Sequence, residues 1–268
     1  MALIKSIVCA LLMGALTLPS VTEAYRWVQV WNDEFDGNQV DRSKWNFEMG
    51  RNQANNEQQY STDRSDNAFV SDGFLHIQAL RENYGDAQYT SARLNTAGKF
   101  SIQYGKFEMR AKLPQGQGMW PAFWLLGENI GNVGWPACGE IDIMELVGKD
   151  PQNVYASLHA PSYDTTRGYH LDQGFAGDFH TYGVNWQPEQ IDFYVDGNTY
   201  LSVNKNQSGG HWPFTDGKFF IILNLAVGGF WPGNPDGSTH FPQQYVVDYV
   251  RVWEIDWSLE NEKAQFLN

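Results

Sequence analysis

The chain has 268 residues, with 18 Lys and Arg against 31 Asp and Glu and a formal charge of −13. This negative balance excludes a protein that binds the phosphates of nucleic acid through a broad basic surface. Aromatic residues make up 15% of the chain, which excludes a disordered polypeptide, and two cysteines cannot form a disulfide framework. What remains is an acidic globular protein rich in aromatic residues.

The first 24 residues have the pattern of a secretory signal peptide. Lys5 supplies the positive start, residues 7–18 form an apolar stretch shorter than a membrane span, and Thr22-Glu23-Ala24 ends at the expected cleavage site. A short N-terminal membrane anchor is the alternative. We therefore expect a secreted, monomeric domain of residues 25–268 that contacts no membrane once the signal is removed.

Apolar and polar residues alternate with a period of two through most of the remaining chain, which predicts strands. In residues 104–113, Phe107, Met109 and Ala111 fall on one face and charged residues on the other, the pattern of a half-buried antiparallel strand. In chain order, strands are predicted at residues 74–80, 104–113, 119–126, 137–147, 154–159, 180–186, 191–195, 199–203, 218–227 and 245–254. No window predicts an amphipathic helix of ordinary length. We expect an all-β fold, a two-sheet antiparallel β-sandwich.

Three acids lie close together in the predicted strand 137–147. Glu140 and Asp142 share a face, whereas strict alternation places Glu145 on the opposite, core face, where a charge is costly. One extra residue at 143–144, a β-bulge, brings all three carboxylates to one face. Because three neighbouring acids cannot all ionise easily, one is expected to stay protonated near neutral pH and serve as a general acid. A solvated acidic face or a metal site is the alternative.

Tryptophans surround this strand in the sequence. Trp120 and Trp124 share a face of one predicted strand, Trp135 leads into the acidic strand, and Trp212 and Trp231 lie in glycine-rich loops. Core packing is the ordinary role of any single tryptophan. Several indoles near loops and acids instead indicate a surface that stacks on the apolar faces of sugar rings.

Several motifs in this order resemble one known family. They are GWPACGEIDIME at residues 134–145, NNEQQY at 55–60, TSARL at 90–94, GQGMWPAFW at 116–124 and NLAVGG at 224–229. The set resembles glycoside hydrolase family 16, most closely its bacterial laminarinase-like endo-β-1,3-glucanases, over about residues 28–253. The resemblance implies a concave β-jelly roll with a substrate cleft across one sheet, a polysaccharide substrate, and no cofactor for the chemistry.

The same resemblance implies roles for the three acids. Glu140 corresponds to the nucleophile, Glu145 to the acid/base, and Asp142 to the residue that orients and tunes the nucleophile. The implied reaction is double displacement with retention of configuration. The spacer at 143–144 resembles the bulged form of the motif, which favours β-1,3-glucan as substrate. Activity on mixed-linkage β-1,3-1,4-glucan or a galactan, and a non-catalytic β-glucan-binding protein, are the alternatives.

Further residues are assigned to substrate binding through the resemblance. They are Asn56, Glu57, Arg93, Trp120, Trp124, Trp135, His159 and Trp231. Asn56 and Glu57 correspond to a loop that hydrogen-bonds sugar, and Arg93 offers donors to hydroxyls or to the nucleophile. A structural ion pair is the alternative for Arg93, and a cleft-edge residue with satisfied hydrogen bonds is the alternative for His159.

The remaining metal-binding and reactive residue types carry weaker signals. His170 and His180 have no metal-ligand spacing with other histidines, so the sequence does not support zinc. Cys138 has the parity of Glu140, but no Cys-His pair is visible, so a small apolar residue is favoured over a reactive thiol. Asn206 begins an N-glycosylation acceptor pattern.

The last predicted strand contains an isolated acid. Asp248 interrupts Val246, Val250 and Val252 on one face, and an acid among valines needs a partner or a cation. The family resemblance implies a structural calcium ion on the convex side, with Glu34, Gly73 and Asp248 as its ligands. Oxygen ligands suit calcium, and an ion there would stabilise the fold. A salt bridge to Asp248 is the alternative.

Overall fold

The computed structural model describes residues 26–52 and 54–256. The predicted signal peptide, residues 1–24, lies outside the described residues. The strands, in chain order, are β1 (Trp27–Asp33), β2 (Asn46–Phe47), β3 (Gly50–Arg51), β4 (Gln59–Ser61), β5 (Ala68–Ser71), β6 (Phe74–Tyr84), β7 (Ala87–Ser91), β8 (Arg93–Asn95), β9 (Gly105–Lys112), β10 (Met119–Gly127), β11 (Glu140–Glu145), β12 (Asn153–Ala160), β13 (Tyr163–His170), β14 (His180–Trp186), β15 (Gln190–Val195), β16 (Asn198–Asn204), β17 (Phe219–Val227) and β18 (Gln243–Ile255). One short helix, α1 (Ile130–Val133), and two 3₁₀ turns, Lys205–Gln207 and Pro213–Thr215, accompany them.

The strands form two sheets, which confirms the predicted all-β sandwich. The first, called the outer sheet below, has the order β16-β15-β14-β9-β18-β6-β7-β4-β3, with β1 beside β18 and β5 beside β6. The second, called the cleft sheet, has the order β13-β12-β11-β10-β17-β8-β2. The pairs are antiparallel except for the short parallel pair β4–β7.

The core lies between the two sheets and follows the predicted alternation. In β9, Phe107, Met109 and Ala111 are fully buried, while the charged residues between them are partly exposed. In β14, Tyr182, Val184 and Trp186 are also fully buried. Strand β17 is buried at every position, because it is central in the cleft sheet and is covered on both faces.

The predicted bulge in the acidic strand is present. Phe123 of β10 pairs with Met144, but Trp124 pairs with Asp142, so Ile143 is the extra residue. Strand β11 begins later than predicted, at Glu140, since residues 134–139 form a tight turn that ends at a glycine with φ of 79°. The register therefore turns Glu140, Asp142 and Glu145 to the same side of the sheet.

A second register shift corrects the prediction for the last strand. In β18, Val247 pairs with Ala111 and Tyr249 pairs with Arg110, which leaves Asp248 as an extra residue. Val247, Val250 and Val252 therefore face the core, whereas Val246 lies opposite Lys112 on the outer side. The expectation that Asp248 shares the valine face is wrong, since the bulge changes the parity at that position.

The polar edge strand β13 was not predicted from the sequence. Its residues are intermediate or exposed throughout, so the apolar alternation that identifies a half-buried strand is absent. Its backbone nevertheless pairs with the whole of β12, which carries the cleft-facing side chains opposite β11.

No helix in the described ranges is long and apolar enough to cross a membrane.

Candidate active site

The three acids of β11 form the centre of the site. Glu140 is half-buried, whereas Asp142 is 3% exposed and Glu145 is 9% exposed. Pairing with β12 places His159 opposite Glu140 and Tyr155 opposite Glu145. Paired residues share a face, so the three acids and these partners line one side of the cleft sheet, away from the core.

Two tryptophans donate hydrogen bonds directly to the two glutamates. Trp135 Nε1 donates to Glu140 Oε2 at 2.7 Å, and Trp120 Nε1 donates to Glu145 Oε1 at 3.0 Å. The sequence predicted stacking surfaces at both positions, but not these bonds. Each indole fixes the orientation of a carboxylate, so the two tryptophans position reactive groups besides lining the cleft.

The surroundings of the acids raise the pKa values of two of them, Asp142 and Glu145. Burial raises the pKa of Glu145 to about 7, and the charge of Glu140 adds to this, although the hydrogen bond from Trp120 opposes it. Burial raises the pKa of Asp142 well above its usual range, and the charges of Glu140 and Glu145 act in the same direction. Glu145 thus titrates near neutral pH, which suits a group that donates and accepts a proton in one reaction cycle.

His159 connects the buried aspartate to the surface. Its Nε2 lies 3.1 Å from Asp142 Oδ2, and its Nδ1 lies 2.8 Å from Oδ2 of Asp164 on β13. Burial alone lowers the pKa of His159, but Asp142, Asp164 and Glu140 outweigh it and raise that pKa to about 10. His159 therefore contacts the acid group itself, which the expectation of a sugar-contacting wall did not include.

Arg93 is engaged in the structural ion pair that was the alternative to sugar binding. Its Nε lies 2.8 Å from Glu48 Oε2, and its guanidinium lies 4.8 Å from the centre of the Trp124 ring. Trp124 Nε1 donates to Asn224 Oδ1 at 2.7 Å. Arg93 and Trp124 support each other at the β8–β10 side of the cleft sheet, and the sequence did not single out Asn224.

The predicted sugar-binding loop contains one exposed and one buried residue. Asn56 is exposed and has φ of 59°. Glu57 is 6% exposed, and its carboxylate accepts hydrogen bonds from Asn52 and Gln59, while burial raises its pKa. Asn56 is therefore free to meet a ligand, whereas Glu57 holds the loop together.

Trp231 joins the group around Glu145. Its ring packs edge-on against Trp120 at 5.7 Å and against Tyr155 at 5.1 Å between centroids. The structure thus brings the two predicted tryptophans together and adds Tyr155, which sequence analysis missed. The parity of the predicted strand 154–159 could have found it, because Tyr155 alternates with core residues in step with His159.

Both carboxylates predicted to bind calcium are paired with arginines. Glu34 accepts two hydrogen bonds from Arg251, at 2.9 and 2.8 Å, and Asp248 forms an ion pair with Arg110. Gly73 lies in the turn between β5 and β6. As arranged, these residues do not fit a calcium ion, because an arginine neutralises each carboxylate. The salt-bridge alternative for Asp248 describes the structure.

Cys138 is 1% exposed and packs with Leu126, Phe220 and Ile222. Burial raises the pKa of its thiol. A neutral, inaccessible thiol is a poor nucleophile, so the structure agrees with a small apolar residue at this position.

A β-sandwich that presents two glutamates beside tryptophans, one of them titrating near pH 7, defines the class of glycosidases that work with a pair of carboxylates. The model of the family described as Glycosyl hydrolases family 16 matches residues 41–251. The chain belongs to this family.

Individual relatives cover most of the chain. A protein named Beta-glucanase from Rhodothermus marinus is 42% identical over 248 residues, which span 86% of each chain. The catalytic domain of an endo-1,3-beta-glucanase (laminarinase) from Thermotoga petrophila is 46% identical, with a TM-score of 0.83, covering 87% of this chain and 100% of that one. The endo-beta-1,3-glucanase from Pyrococcus furiosus is 44% identical, with a TM-score of 0.84, covering 87% and 97%.

Proposed function

We propose that this protein is an endo-β-1,3-glucanase that cleaves internal bonds of laminarin-type glucans with retention of configuration. The observation that carries the proposal is the bulged acidic strand. Glu140 and Glu145 project from one face, each held by an indole donor, and burial raises the pKa of Glu145 to about 7. Relatives named endo-1,3-beta-glucanase support the linkage specificity.

In the first step, Glu140 attacks the anomeric carbon while Glu145 donates its proton to the departing glycosidic oxygen. The result is a glycosyl ester on Glu140 and an ionised Glu145. The hydrogen bond from Trp135 keeps Glu140 oriented toward the sugar, and burial keeps Glu145 protonated below about pH 7.

In the second step, Glu145 removes a proton from a water molecule that attacks the same carbon. The ester bond to Glu140 breaks, and both carboxyls return to their starting states. Two inversions at one carbon leave the configuration unchanged. Asp142, placed between the two glutamates and in contact with His159, adjusts the charge that Glu140 faces during each step.

The aromatic group of Trp120, Trp231 and Tyr155 is the proposed surface for a glucose ring next to the scissile bond. Its rings pack edge-on and lie beside Glu145. Apolar sugar faces stack on such rings. A non-catalytic glucan-binding protein would not need the indole-held acid pair, so the site favours an enzyme.

Product analysis tests the proposal. The protein is incubated with laminarin, lichenan, agarose and carrageenan, and the released oligosaccharides are identified. We expect a ladder of β-1,3-linked products from laminarin, and NMR should show the β-anomer first. Release from lichenan alone would instead assign the protein to mixed-linkage glucan.

A variant pair assigns the chemistry to the proposed nucleophile. Glu140→Gln should lose more than about 99.9% of the turnover on laminarin, as expected when a covalent-catalysis group is removed. The matched control is Glu254→Gln, an exposed glutamate on the outer sheet, which should keep the parent rate. An initial α-anomer, or an active Glu140→Gln variant, contradicts the mechanism.

We further propose that the protein is secreted and acts as a monomer. The signal-peptide pattern of residues 1–24 supports secretion. Expression with the native N-terminus should yield an extracellular or periplasmic product whose mass is that of residues 25–268. Light scattering should give the mass of a single chain.

A further inference from the structure

The nucleophile's end of the site brings together three groups that can bind a metal ion. One ligand atom each from Glu140, Asp142 and His159 lie within 4.8 Å of one another, the one such group of three or more in the described residues. The sequence did not reveal it, since Glu140 and His159 meet only through the pairing of β11 with β12.

Asp142 supplies a second observation that points to a ligand. The residue is 3% exposed, and its buried Oδ2 has an ion-pair contact with His159 but no donor aligned for a hydrogen bond among the residues that the structure describes. That oxygen lies 3.1 Å from His159 Nε2, so it is aimed into the cluster. A buried oxygen without an aligned hydrogen-bond donor is costly, and a cation between the three groups would satisfy it.

The surface neighbour of His159 provides a third observation. Oδ2 of Asp164 lies 2.8 Å from His159 Nδ1. A carboxylate that accepts the Nδ1 proton orients the ring so that Nε2 can bind a metal once the cation displaces the Nε2 proton, as around most metal-bound histidines. Asp164 thus orients His159 Nε2 toward Asp142.

We propose that Glu140, Asp142 and His159 form a binding site for a divalent cation of the Zn²⁺ type, and that its occupancy inhibits the enzyme. One nitrogen and two carboxylate oxygens favour Zn²⁺ over Mg²⁺ or Ca²⁺, which prefer oxygen ligands throughout. Tetrahedral zinc places its ligand atoms about 3.3 Å apart, so separations that now lie within 4.8 Å must close by at most about 1.5 Å. Glu140 and His159 are half-buried and have more room to move than the buried Asp142.

Inhibition follows from the position of the site. A carboxylate bound to zinc is not available to attack an anomeric carbon, and an ion there occupies space that the sugar needs. Zinc and glucan therefore compete. The inhibitory effect rests on the proposed glucanase function, whereas the binding of zinc does not.

Calorimetry without substrate tests the binding. Zn²⁺ is titrated into metal-free protein, and we expect one zinc ion to bind per chain. Mg²⁺ should bind at least about a hundredfold more weakly. His159→Gln and Glu140→Gln should each lower the zinc affinity at least about tenfold. The matched control is His170→Gln, because His170 also contacts an aspartate, Asp172, but lies at the exposed edge of β13. It should keep the parent affinity.

A second pair of variants keeps the test valid if a cluster variant fails to fold. Asp164→Asn leaves the three ligands in place and should weaken zinc binding about tenfold by releasing His159 Nδ1. Asp172→Asn is its control and should change nothing. Equal zinc affinity in the parent, His159→Gln and Glu140→Gln would overturn the proposal and assign the heat to surface histidines.

Kinetics test the inhibition. Zn²⁺ should raise KM for laminarin and leave kcat unchanged, and EDTA should restore the parent KM at once. Zinc that lowers kcat without changing KM would overturn competition at Glu140. If the parent hydrolyses no laminarin, the proposed function fails, but the calorimetric result still decides whether the metal site exists.

Discussion

The acids of the cleft sheet and those of the outer sheet have the same chemistry but opposite surroundings. In the cleft, Asp142 and Glu145 are buried beside Glu140, and their pKa values are raised. On the outer sheet, Glu34 accepts two hydrogen bonds from Arg251, which lower its pKa, and Asp248 pairs with Arg110. Arginines therefore neutralise Glu34 and Asp248 on the outer sheet, whereas no arginine among the described residues pairs with the three acids proposed to carry out the reaction.

The largest effect that this contrast predicts is on activity. Glu145→Gln should lower kcat on laminarin by about 10²–10⁴-fold, because the proposed proton donor and acceptor is gone. In the parent, kcat/KM should fall as pH rises through about 7, since the first step needs protonated Glu145. Steady-state rates between pH 4 and 9 measure both. A parent profile that stays flat across pH 7 would show that Glu145 is not the acid.

The same substitution should stabilise the fold at high pH. Glu145 has an ordinary pKa of 4.5 in the unfolded chain and about 7 in the folded one. Its contribution to stability is therefore fully present below pH 4.5 and is lost as pH rises from 4.5 through about 7. Above that pH, the ionised Glu145 is buried in the folded chain and destabilises it. Glu145→Gln should raise the free energy of unfolding by up to about 3 kcal/mol at pH 8, with no gain near pH 4. Urea unfolding at the two pH values checks this, and a loss of stability at pH 8 would contradict it.

On the outer sheet, the matching substitution should have the opposite sign. The pKa of Glu34 is lowered, so its stabilising effect is present above the ordinary value of 4.5 and disappears as pH falls below it. Glu34→Gln should cost about 1 kcal/mol at pH 7, a drop in Tm of about 2–4 °C, and less as pH falls below 4.5. Glu254→Gln is the control. Equal Tm values for the Glu34 variant and the control at pH 7 would break the comparison.

The smallest expected effect is that of a chelator. Because arginines already neutralise Glu34 and Asp248, EDTA should leave the Tm of protein purified without added metal unchanged. Calorimetric melting with and without EDTA, together with metal analysis, measures this. A lowered Tm and one calcium ion per chain would restore the ligand set that the family resemblance implies.

The sequence predicted the sandwich and the acidic strand well because both depend on local alternation. The bulge at Ile143 was inferred from the cost of a charged Glu145 in the core, and the register confirms it. The same reasoning failed for Asp248. The cost of an acid among valines was assigned there to a partner or a cation, whereas a bulge instead moves Asp248 off the face of Val250 and Val252.

The contacts within the site could not be predicted, since they depend on which strands become neighbours. His159 meets Asp142 through the β11–β12 register, and Asp164 meets His159 through β13, a strand with no apolar pattern. The bonds from Trp120 and Trp135 likewise depend on side-chain directions that a sequence does not specify. Residue types indicated the chemistry, but the pKa values of Asp142, Glu145 and His159 depend on strands that are distant in sequence and pair only in the fold.

Because Cys138 is buried, its thiol can serve as a probe of local opening at the start of strand β11. Cys138 lies two residues before Glu140 in the sequence and is 1% exposed. A thiol reagent can reach it only when this segment opens, so the labelling rate under native conditions reports the free energy of that local opening. Cys9, the other cysteine, lies within the predicted signal peptide. If residues 1–24 are removed as we propose, the chain carries one thiol, and its modification rate reports the local opening of the segment next to Glu140, the proposed nucleophile.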